Sequence, residues 1–520
     1  MADLVTFRFY VDWDNDSDFS EYYEDVTDYV RDATWSVGMS QAFQLVGDEM
    51  RLTLTLINKD RRFSPENSSS PYYGEMLPRR RIKIISTYLG TDRTMYLGFI
   101  DSISTEGADG ITTVISGASA KRWMQEQLIT LALLENVRSD EVLEQILLRL
   151  QNPAALGDDV WILGVTGKSE LGETTYLSDF SPAYSFDTGN TTFTYVADNW
   201  DSSFQGNQHV GADWSGGFFG YDAIEDVVKA EQGRFFFGRD GRAYFFNRAR
   251  FQINVALDDT WDNLHKTIDY SYGESIANDI RVKAYPRKIT IDQLLWELDE
   301  VVELKPGKSR TIRARYSESG SDSKVGGRNA AVDNVDKDAH ISISAEFFGD
   351  RADITVTNGS STLDGELRAI QIVGDKMTTY NAQELSASDG VSKTFYGVRE
   401  MQLDCKLIDN SNYAQSIAEY LLLRHHEPIG EVHSVMWTNN DDDRISRSLE
   451  TAIGDRVRIV DTQIVHDAEY FVIGERHRWD NHAGSGYQTT FFVEPASSLR
   501  VWNLGVAGFS ELGETTWLGL

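Results

Sequence analysis

Two stretches of this chain decide the fold that we predict. Residues 81–117 read RIKIISTYLGTDRTMYLGFIDSISTEGADGITTVISG, and residues 456–493 read RVRIVDTQIVHDAEYFVIGERHRWDNHAGSGYQTTFFV. Each has a strand with basic and branched residues, a loop, an aromatic strand that ends at a glycine, a second loop and a Thr-rich strand. Alternation of apolar and polar residues is typical of half-buried strands. Both stretches are therefore predicted to form antiparallel β-structure.

The spacing within the two stretches is almost the same. Gly98 follows Ile82 by 16 residues, and Gly474 follows Val457 by 17. The Thr-rich strand begins 14 residues after the first glycine and 15 after the second, at Thr112 and Thr489. We interpret this match as two copies of one small β-barrel. The alternative is that any two antiparallel meanders share the rhythm.

A chain of 520 residues is too long for one core and is expected to form roughly three or four domains. The predicted fold class is mainly β with a few helices, with two related small β-barrel domains and inserted β-rich or mixed domains. The predicted domains are an N-terminal barrel (1–125), a helix with an irregular β insertion (126–222), a mixed helix and hairpin domain (223–300), a β-rich insertion (301–394), a second barrel with a helix at 412–425 (395–500), and a C-terminal tail (501–520).

Helical periodicity is confined to a few places. Apolar residues recur at helical spacing in 139–150, 224–233 and 413–421. A hairpin is predicted around the Asp240-Gly241 turn. Residues 317–338 contain few large apolar side chains and are predicted to form a loop.

Charge limits the classes of partner. The chain has 81 acidic and 49 basic residues, a net charge of −32, which disfavours binding to a phosphate backbone. A negatively charged passage would instead let DNA slide without sticking. The single cysteine, Cys405, is expected to be buried. No stretch approaches the ~20 apolar residues of a transmembrane helix.

A phrase of 17 residues occurs twice, as WILGVTGKSELGETTYL at 161–177 and WNLGVAGFSELGETTWL at 502–518, with 13 identities. The phrase has no nucleophile with a base and no ligand cluster, so it is interpreted as a docking or packing element that binds partners. The predicted interface residues are Trp161, Leu163, Gly164, Leu171 and Gly172 in the first copy, and Trp502, Leu504, Gly505, Leu512 and Gly513 in the second.

Alternating carboxylates near the start suggest a cation site. The loop DWDNDSDFSEYYED places acidic residues at every second position, as in a calcium loop. Ser17 stands where such a loop has its turn glycine, and Tyr23 stands where it has a bidentate Glu. The alternative is a solvated acidic turn. No cofactor is expected apart from calcium at this loop, with Asp12, Asp14 and Asp16 as the candidate ligands.

A basic cluster, Arg79, Arg80 and Arg81, precedes a predicted strand. In so acidic a protein we expect it to pair with carboxylates of a neighbouring subunit rather than with nucleic acid.

No catalytic set is found. The run RHHEPIGEVH is not a zinc-protease motif, because Pro428 breaks the helix that must carry both histidines. His425 and His426 are instead interpreted as helix-end residues, and Asp441 to Asp443 as a solvated loop. The chain is therefore predicted not to be an enzyme.

Residues 58–103 contain NKDRRFSPENSSSPYYGEMLPRRRIKI followed by YLGFIDSI, and they resemble the N-terminal part of tail-hub type minor tail proteins of long-tailed bacteriophages. Further matches follow in the same order. They are AEQGRFFFGRDGRAYF (230–245), NDIRVKAYPR (278–287), LWELDEVVELKPGKSRTIRARY (295–316), and AQSIAEYLLLRHHEP with IGDRVRIV and FVIGERH (414–477).

The resemblance implies a homotrimeric hub that closes the distal tail tube in the virion tail tip after assembly in the host cytoplasm. Two related barrels per chain would let three copies present six equivalent surfaces to a hexameric ring. The implied partners are the tail tube or distal tail protein ring, the tape measure protein and other tip or fibre proteins, with DNA passing without specific binding. Two alternatives stay open, a receptor- or glycan-binding tip protein and a cell-wall hydrolase.

Overall fold

The structure is a computed structural model that describes residues 5–16, 18–105, 112–129, 139–150, 184–186, 218–246, 257–317, 325–481 and 486–496. It is mostly β, with 51% of residues in strands and 15% in helices. The predicted fold class, mainly β with a few helices, is confirmed.

The strands in chain order are β1 (Thr6–Val11), β2 (Val30–Gly38), β3 (Arg51–Ile57), β4 (Arg81–Tyr88), β5 (Thr91–Thr105), β6 (Thr112–Ala118), β7 (Leu128–Ile129), β8 (Tyr184–Phe186), β9 (Phe218–Phe219), β10 (Arg234–Phe237), β11 (Ala243–Phe246), β12 (Asp259–Asp262), β13 (Thr267–Tyr272), β14 (Asp279–Ala284), β15 (Arg287–Glu297), β16 (Val302–Leu304), β17 (Ser309–Arg315), β18 (Gly326–Lys337), β19 (Ile341–Phe347), β20 (Arg351–Asn358), β21 (Gly365–Thr379), β22 (Gln383–Ser388), β23 (Glu400–Asp404), β24 (Gly430–Thr438), β25 (Arg456–Asp461), β26 (His466–Asp480) and β27 (Gln488–Pro495). The helices are α1 (Lys121–Glu126), α2 (Ser139–Arg149), α3 (Gly220–Glu231), α4 (Gly390–Tyr396), α5 (Ser411–His425) and α6 (Asp442–Glu450).

Two six-stranded units have the same strand order. The first unit runs β1-β4-β5-β6-β3-β2, and the second runs β12-β25-β26-β27-β24-β13. The units differ in one pairing, because β1 lies antiparallel to β4 whereas β12 lies parallel to β25. The prediction that the chain contains two related β units is confirmed.

The two units do not form separate closed barrels. Strand β2 of the first unit pairs with β26 of the second, and this joins all twelve strands into one sheet. Strand pairing closes neither unit within the part of the chain that the structure describes. The prediction of two barrels is wrong in this respect, because the hydrogen-bonding edge of β2 is occupied by the other unit.

A buried side-chain hydrogen bond is repeated in both units. Asn58, after β3, donates from Nδ2 to Oγ1 of Thr113 at 2.9 Å, and Asn439, after β24, donates in the same way to Thr489 at 2.9 Å. The equivalent of Thr489 is therefore Thr113 rather than its neighbour Thr112. A satisfied buried amide of this kind fixes how the two strands of each unit meet.

The core of the first unit continues into the middle of the chain. A cluster that includes Phe9, Trp35 and Leu54 of the first unit also includes Ile224 of α3 and Ile417 of α5. The second unit has its own aromatic core, in which the ring of Trp437 lies 5.1 Å from Trp261 and 5.3 Å from Phe491. Each fully buried large side chain contributes about 1.5–3 kcal/mol, so these cores hold the strands in one arrangement.

Residues 287–379 form a two-sheet insertion with a separate apolar core. One sheet has the order β15-β21-β16 with β18 also on β21, and the other has the order β17-β20-β19. The loop predicted at 317–338 is wrong, because residues 326–337 form β18 and pair with β21. The error has a physical reason: most side chains of β18 are at least partly exposed, so the strand does not need an apolar row.

The three predicted helices and the hairpin of β10 and β11 are confirmed. The loop predicted at Asp441 to Asp443 is wrong, since these residues begin α6. The Asp441 carboxylate accepts a hydrogen bond from the Arg444 N–H at 2.8 Å, which is an N-cap, and the next two carboxylates lie in the first turn. Cys405 is buried as predicted. Among the described residues, no helix combines the length and the apolar character that crossing a bilayer requires.

Candidate assembly interface

The two units meet along one edge of the long strand β26. Residues 466–471 of that edge pair with β25, and residues 474–480 pair with residues 38–32 of β2. Strand β27 occupies the opposite edge. Strand β2 thus takes over the edge of β26 where β25 ends, and we call this β2–β26 contact the seam.

Two glycines face each other where the seam begins. A Cβ on Gly474 would lie 2.1 Å from the carbonyl oxygen of Met39, and a Cβ on Gly38 would lie 2.5 Å from Cδ1 of Ile453. Gly38 also has a φ of +85°, which side chains rarely adopt. The seam therefore requires glycine on both strands.

A buried carboxylate next to this crossing ties the hairpin of β10 and β11 to the seam. Glu475 accepts a hydrogen bond from Nε of Arg239 at 2.5 Å, and its Oε2 lies 3.2 Å from Nε2 of the buried His477. Arg239 also donates to the carbonyl oxygen of Leu449 at 2.7 Å. Burial alone would raise the pKa of Glu475, but the charges of Arg239 and His477 lower it to about 2. The carboxylate is therefore ionised and holds three elements together.

A second buried carboxylate, Glu494 of β27, connects the first unit to two central elements. It accepts from Nη2 of Arg234 at 3.0 Å and from the backbone N–H of Phe43 at 2.9 Å, and Nη2 of Arg424 lies 3.7 Å away. Arg424 also lies over the Phe43 ring at 4.8 Å. Burial would raise the pKa of Glu494, but the two guanidinium groups lower it. One side chain therefore links β27, β10, α5 and the loop after β2.

His425, at the end of α5, makes the fold sensitive to acid. Burial, and then the neighbouring charge of Arg424, lower its pKa from 6.5 to about 4. Below pH 6.5 the unfolded chain binds a proton that the folded chain excludes, so acid favours unfolding. We expect the free energy of unfolding to fall by up to about 3 kcal/mol between pH 6.5 and pH 4 from this group.

Urea denaturation at several pH values measures this effect. The variant His425→Asn keeps a donor that can reach the carbonyl oxygen of Ser275, which lies 3.1 Å from Nδ1. This variant is expected to lose the part of the pH dependence that comes from His425. Parallel curves for the variant and the unchanged protein would contradict the assignment.

Each end of the twelve-stranded sheet carries an open edge. Beyond Ile100, the edge of β5 that faces away from β6 pairs with no other strand of the described residues. Strand β13 pairs with β24 alone in the same part of the chain. Its outer side carries Tyr272, whose side chain is 68% exposed. Open edges of this kind are templates for pairing with another chain.

The acidic loop, residues 12–24, brings together the predicted cation ligands and one residue that the sequence analysis missed. Single oxygens of Asp12, Asp14, Asp16 and Glu24 lie within 4.8 Å of one another. Burial and the neighbouring Glu21 carboxyl raise the pKa of Glu24 to about 8. The signal for Glu24 was its place in the acidic run, but its distance from Asp12 in sequence hid the contact.

The three arginines of the basic cluster contact groups of their own chain. Arg79 pairs with Glu126 at 2.9 Å and lies over the Trp123 ring. Arg80 donates to the carbonyl oxygen of Glu75 at 3.2 Å, and Arg81 is buried in β4. Pairing with a neighbouring subunit stays a prediction.

Both copies of the repeated phrase, 161–177 and 502–518, lie outside the described residues. Their predicted docking role stays a prediction. Sequence reasoning also missed Glu475 and Glu494, because a single Glu in a strand gives no sign of its burial.

No protein-family model and no curated protein matches the chain. Its structural neighbours are tail proteins. The prophage MuSo2 43 kDa tail protein from Shewanella oneidensis has 7% identity and a TM-score of 0.46, and the match covers 95% of this chain and 99% of the neighbour. The tail protein from Neisseria meningitidis MC58 has 9% identity and a TM-score of 0.45, with 94% and 96% covered. The prophage tail protein gp18 from Listeria monocytogenes EGD-e has 8% identity and a TM-score of 0.38, with 94% of each chain covered.

Proposed function

We propose that this chain is a structural subunit of a phage tail hub, in which three copies form a ring at the tail tip. One observation carries the proposal: the chain contains the same six-stranded unit twice, and the two units are joined through an edge that the first unit leaves open. A contact between unlike surfaces of two similar units generates a ring when its rotation closes. Three chains would supply six units.

The seam within the chain is a template for the contact between chains. Strand pairings align β13 with β2, so that Tyr272 is equivalent to Gly38. They also align the far half of β5 with the far half of β26, so that Ser102 is equivalent to Gly474. Since Gly38 faces Gly474 in the seam, Tyr272 of one copy would face Ser102 of the next.

The charge of the chain supports a role beside a DNA path. With a net charge of −32, a ring of this protein would repel the phosphate backbone rather than bind it. The proposed partners are the tail tube or distal tail protein ring, the tape measure protein and other tip proteins. The protein would act as a scaffold for them and perform no catalysis.

The mass of the native particle tests the trimer, and a cysteine pair tests the interface. Native mass spectrometry of the full chain is expected to give three copies. In the double variant Ser102→Cys with Tyr272→Cys, mild oxidation should give covalent dimers and trimers, because directly opposed strand residues lie within disulfide reach. Cys405 is buried and should not compete.

The two single-cysteine variants are the matched controls and should give no ladder of linked copies. A trimeric mass without cross-linking would overturn the strand contact but leave the trimer standing. A monomer at all concentrations would overturn the ring itself.

A further inference from the structure

A buried carboxylate with an unused oxygen lies at the base of the acidic loop. The Glu24 side chain is fully buried, and its Oε1 has no hydrogen-bond partner within the described part of the chain. The other oxygen accepts one bond, from the backbone N–H of Glu21 at 3.3 Å. Burial of an ionisable carboxyl without a matching group costs several kcal/mol, so the free oxygen indicates that a group is missing from this site.

The position of that oxygen is set by three further carboxylates. One oxygen each from Glu24, Asp12, Asp14 and Asp16 lies within 4.8 Å of the others. Oxygen ligands at the usual 2.3–2.6 Å from calcium span at most about 4.6–5.2 Å across the ion. The four oxygens are therefore spaced as they would be around one calcium ion.

We propose that Asp12, Asp14, Asp16 and Glu24 bind one calcium ion, with water completing the coordination.

The loop is already shaped by its own hydrogen bonds. Oδ1 of Asp12 accepts from the backbone N–H of Asn15 at 2.6 Å, and the Tyr23 hydroxyl donates to Oδ2 of Asp14 at 2.7 Å. The backbone N–H of Asp12 donates to the carbonyl oxygen of Arg81 at 3.0 Å, which ties the loop to β4. A bound ion would therefore join the whole loop, through Glu24, to the sheet.

Calcium fits these ligands better than magnesium. Calcium accepts six to eight oxygens in flexible geometry, whereas magnesium requires near-ideal octahedral geometry and keeps most of its water. Four carboxylates from one irregular loop meet the first requirement. We expect magnesium to bind at least tenfold more weakly than calcium.

Binding is tested with the full chain after removal of metal by EDTA. Calorimetric titration with calcium chloride is expected to show one ion per chain. Terbium, which replaces calcium, should give luminescence excited through Trp13, the buried neighbour of the ligands. The variant Glu24→Gln keeps the volume and removes the charge, and it should weaken calcium binding at least tenfold.

The variant Asp18→Asn is the matched control. Asp18 belongs to the same acidic run, but its carboxylate accepts from Phe19 N–H at 2.7 Å and Ser20 Oγ at 2.9 Å. Its calcium affinity should stay within twofold of the unchanged protein. The melting temperature in EDTA shows whether Glu24→Gln folds; it should not fall, and only its increase with calcium should be lost.

Three results would overturn the proposal: no binding of calcium or terbium by the unchanged protein, equal affinity in Glu24→Gln, or magnesium binding as tight as calcium. If Glu24→Gln fails to fold, Asp14→Asn replaces it, because Asp14 is exposed. Native mass in EDTA separates this outcome from the ring, which does not depend on the ion.

Discussion

Replacement of Glu494 by Ala is expected to lower the free energy of unfolding by about 3–5 kcal/mol. The loss arises because Arg234 and Arg424 would remain buried without the carboxylate that faces both, and the N–H of Phe43 would lose its acceptor. Urea denaturation followed by tryptophan fluorescence measures the change. The same variant should also expose the loop after β2 to proteases, since Glu494 holds that loop against β27.

Two further variants show whether charge is the cause. Glu494→Gln keeps the volume and should lose most of the same stability, because a neutral amide does not match two guanidinium groups. Glu450 pairs with Arg93 at 3.0 Å, but its side chain is 55% exposed, so Glu450→Ala should change stability by less than about 1 kcal/mol. If Glu494→Ala and Glu450→Ala behave alike, the buried network does not stabilise the junction.

Replacement of Gly474 by Val is expected to part the two units at the seam. Even a single Cβ at this position would overlap the carbonyl oxygen of Met39 at 2.1 Å, and backbone atoms cannot move aside without breaking the pairing of β2 with β26. We expect a loss of about 3 kcal/mol or more. Limited proteolysis should then cut between the first unit and the rest of the chain.

The duplication supplies a control for this substitution. Ser102 occupies the equivalent position on β5, but there the edge is open and the side chain is exposed. Ser102→Val should therefore leave the stability of the single chain unchanged. Gly390→Ala, at a glycine with open space around its Cα, controls for loss of glycine as such. Normal stability of Gly474→Val would show that the seam is not a fixed contact.

The sequence was sufficient to find the duplication but not to align it residue by residue. Spacing equated Gly98 with Gly474, whereas the structure pairs Gly98 with Ile82 and pairs Tyr470 with Val457, so that Gly98 is equivalent to Tyr470. The reason is the β-bulge near Ile100 in β5 and near Val472 in β26. A bulge shifts register by one residue, and loops of unequal length conceal the shift.

The candidate sites divide in the same way. Alternating carboxylates identified Asp12, Asp14 and Asp16 because their spacing is local. Glu24 was missed because only the folded loop brings it near them. Glu475 and Glu494 could not be found at all, since neither their burial nor their arginine partners, more than 200 residues away in sequence, leave a local pattern.

The sequence by itself determined the β character, the two related units and most of the helices, because period and spacing are properties of neighbouring residues. Only the tertiary structure decided that the units share one sheet, since this depends on which edge β2 meets. Pairing of β2 with β26 joins residues more than 430 positions apart. That choice is made by the close approach of two glycines and by buried ion pairs, which exist only after the chain has folded.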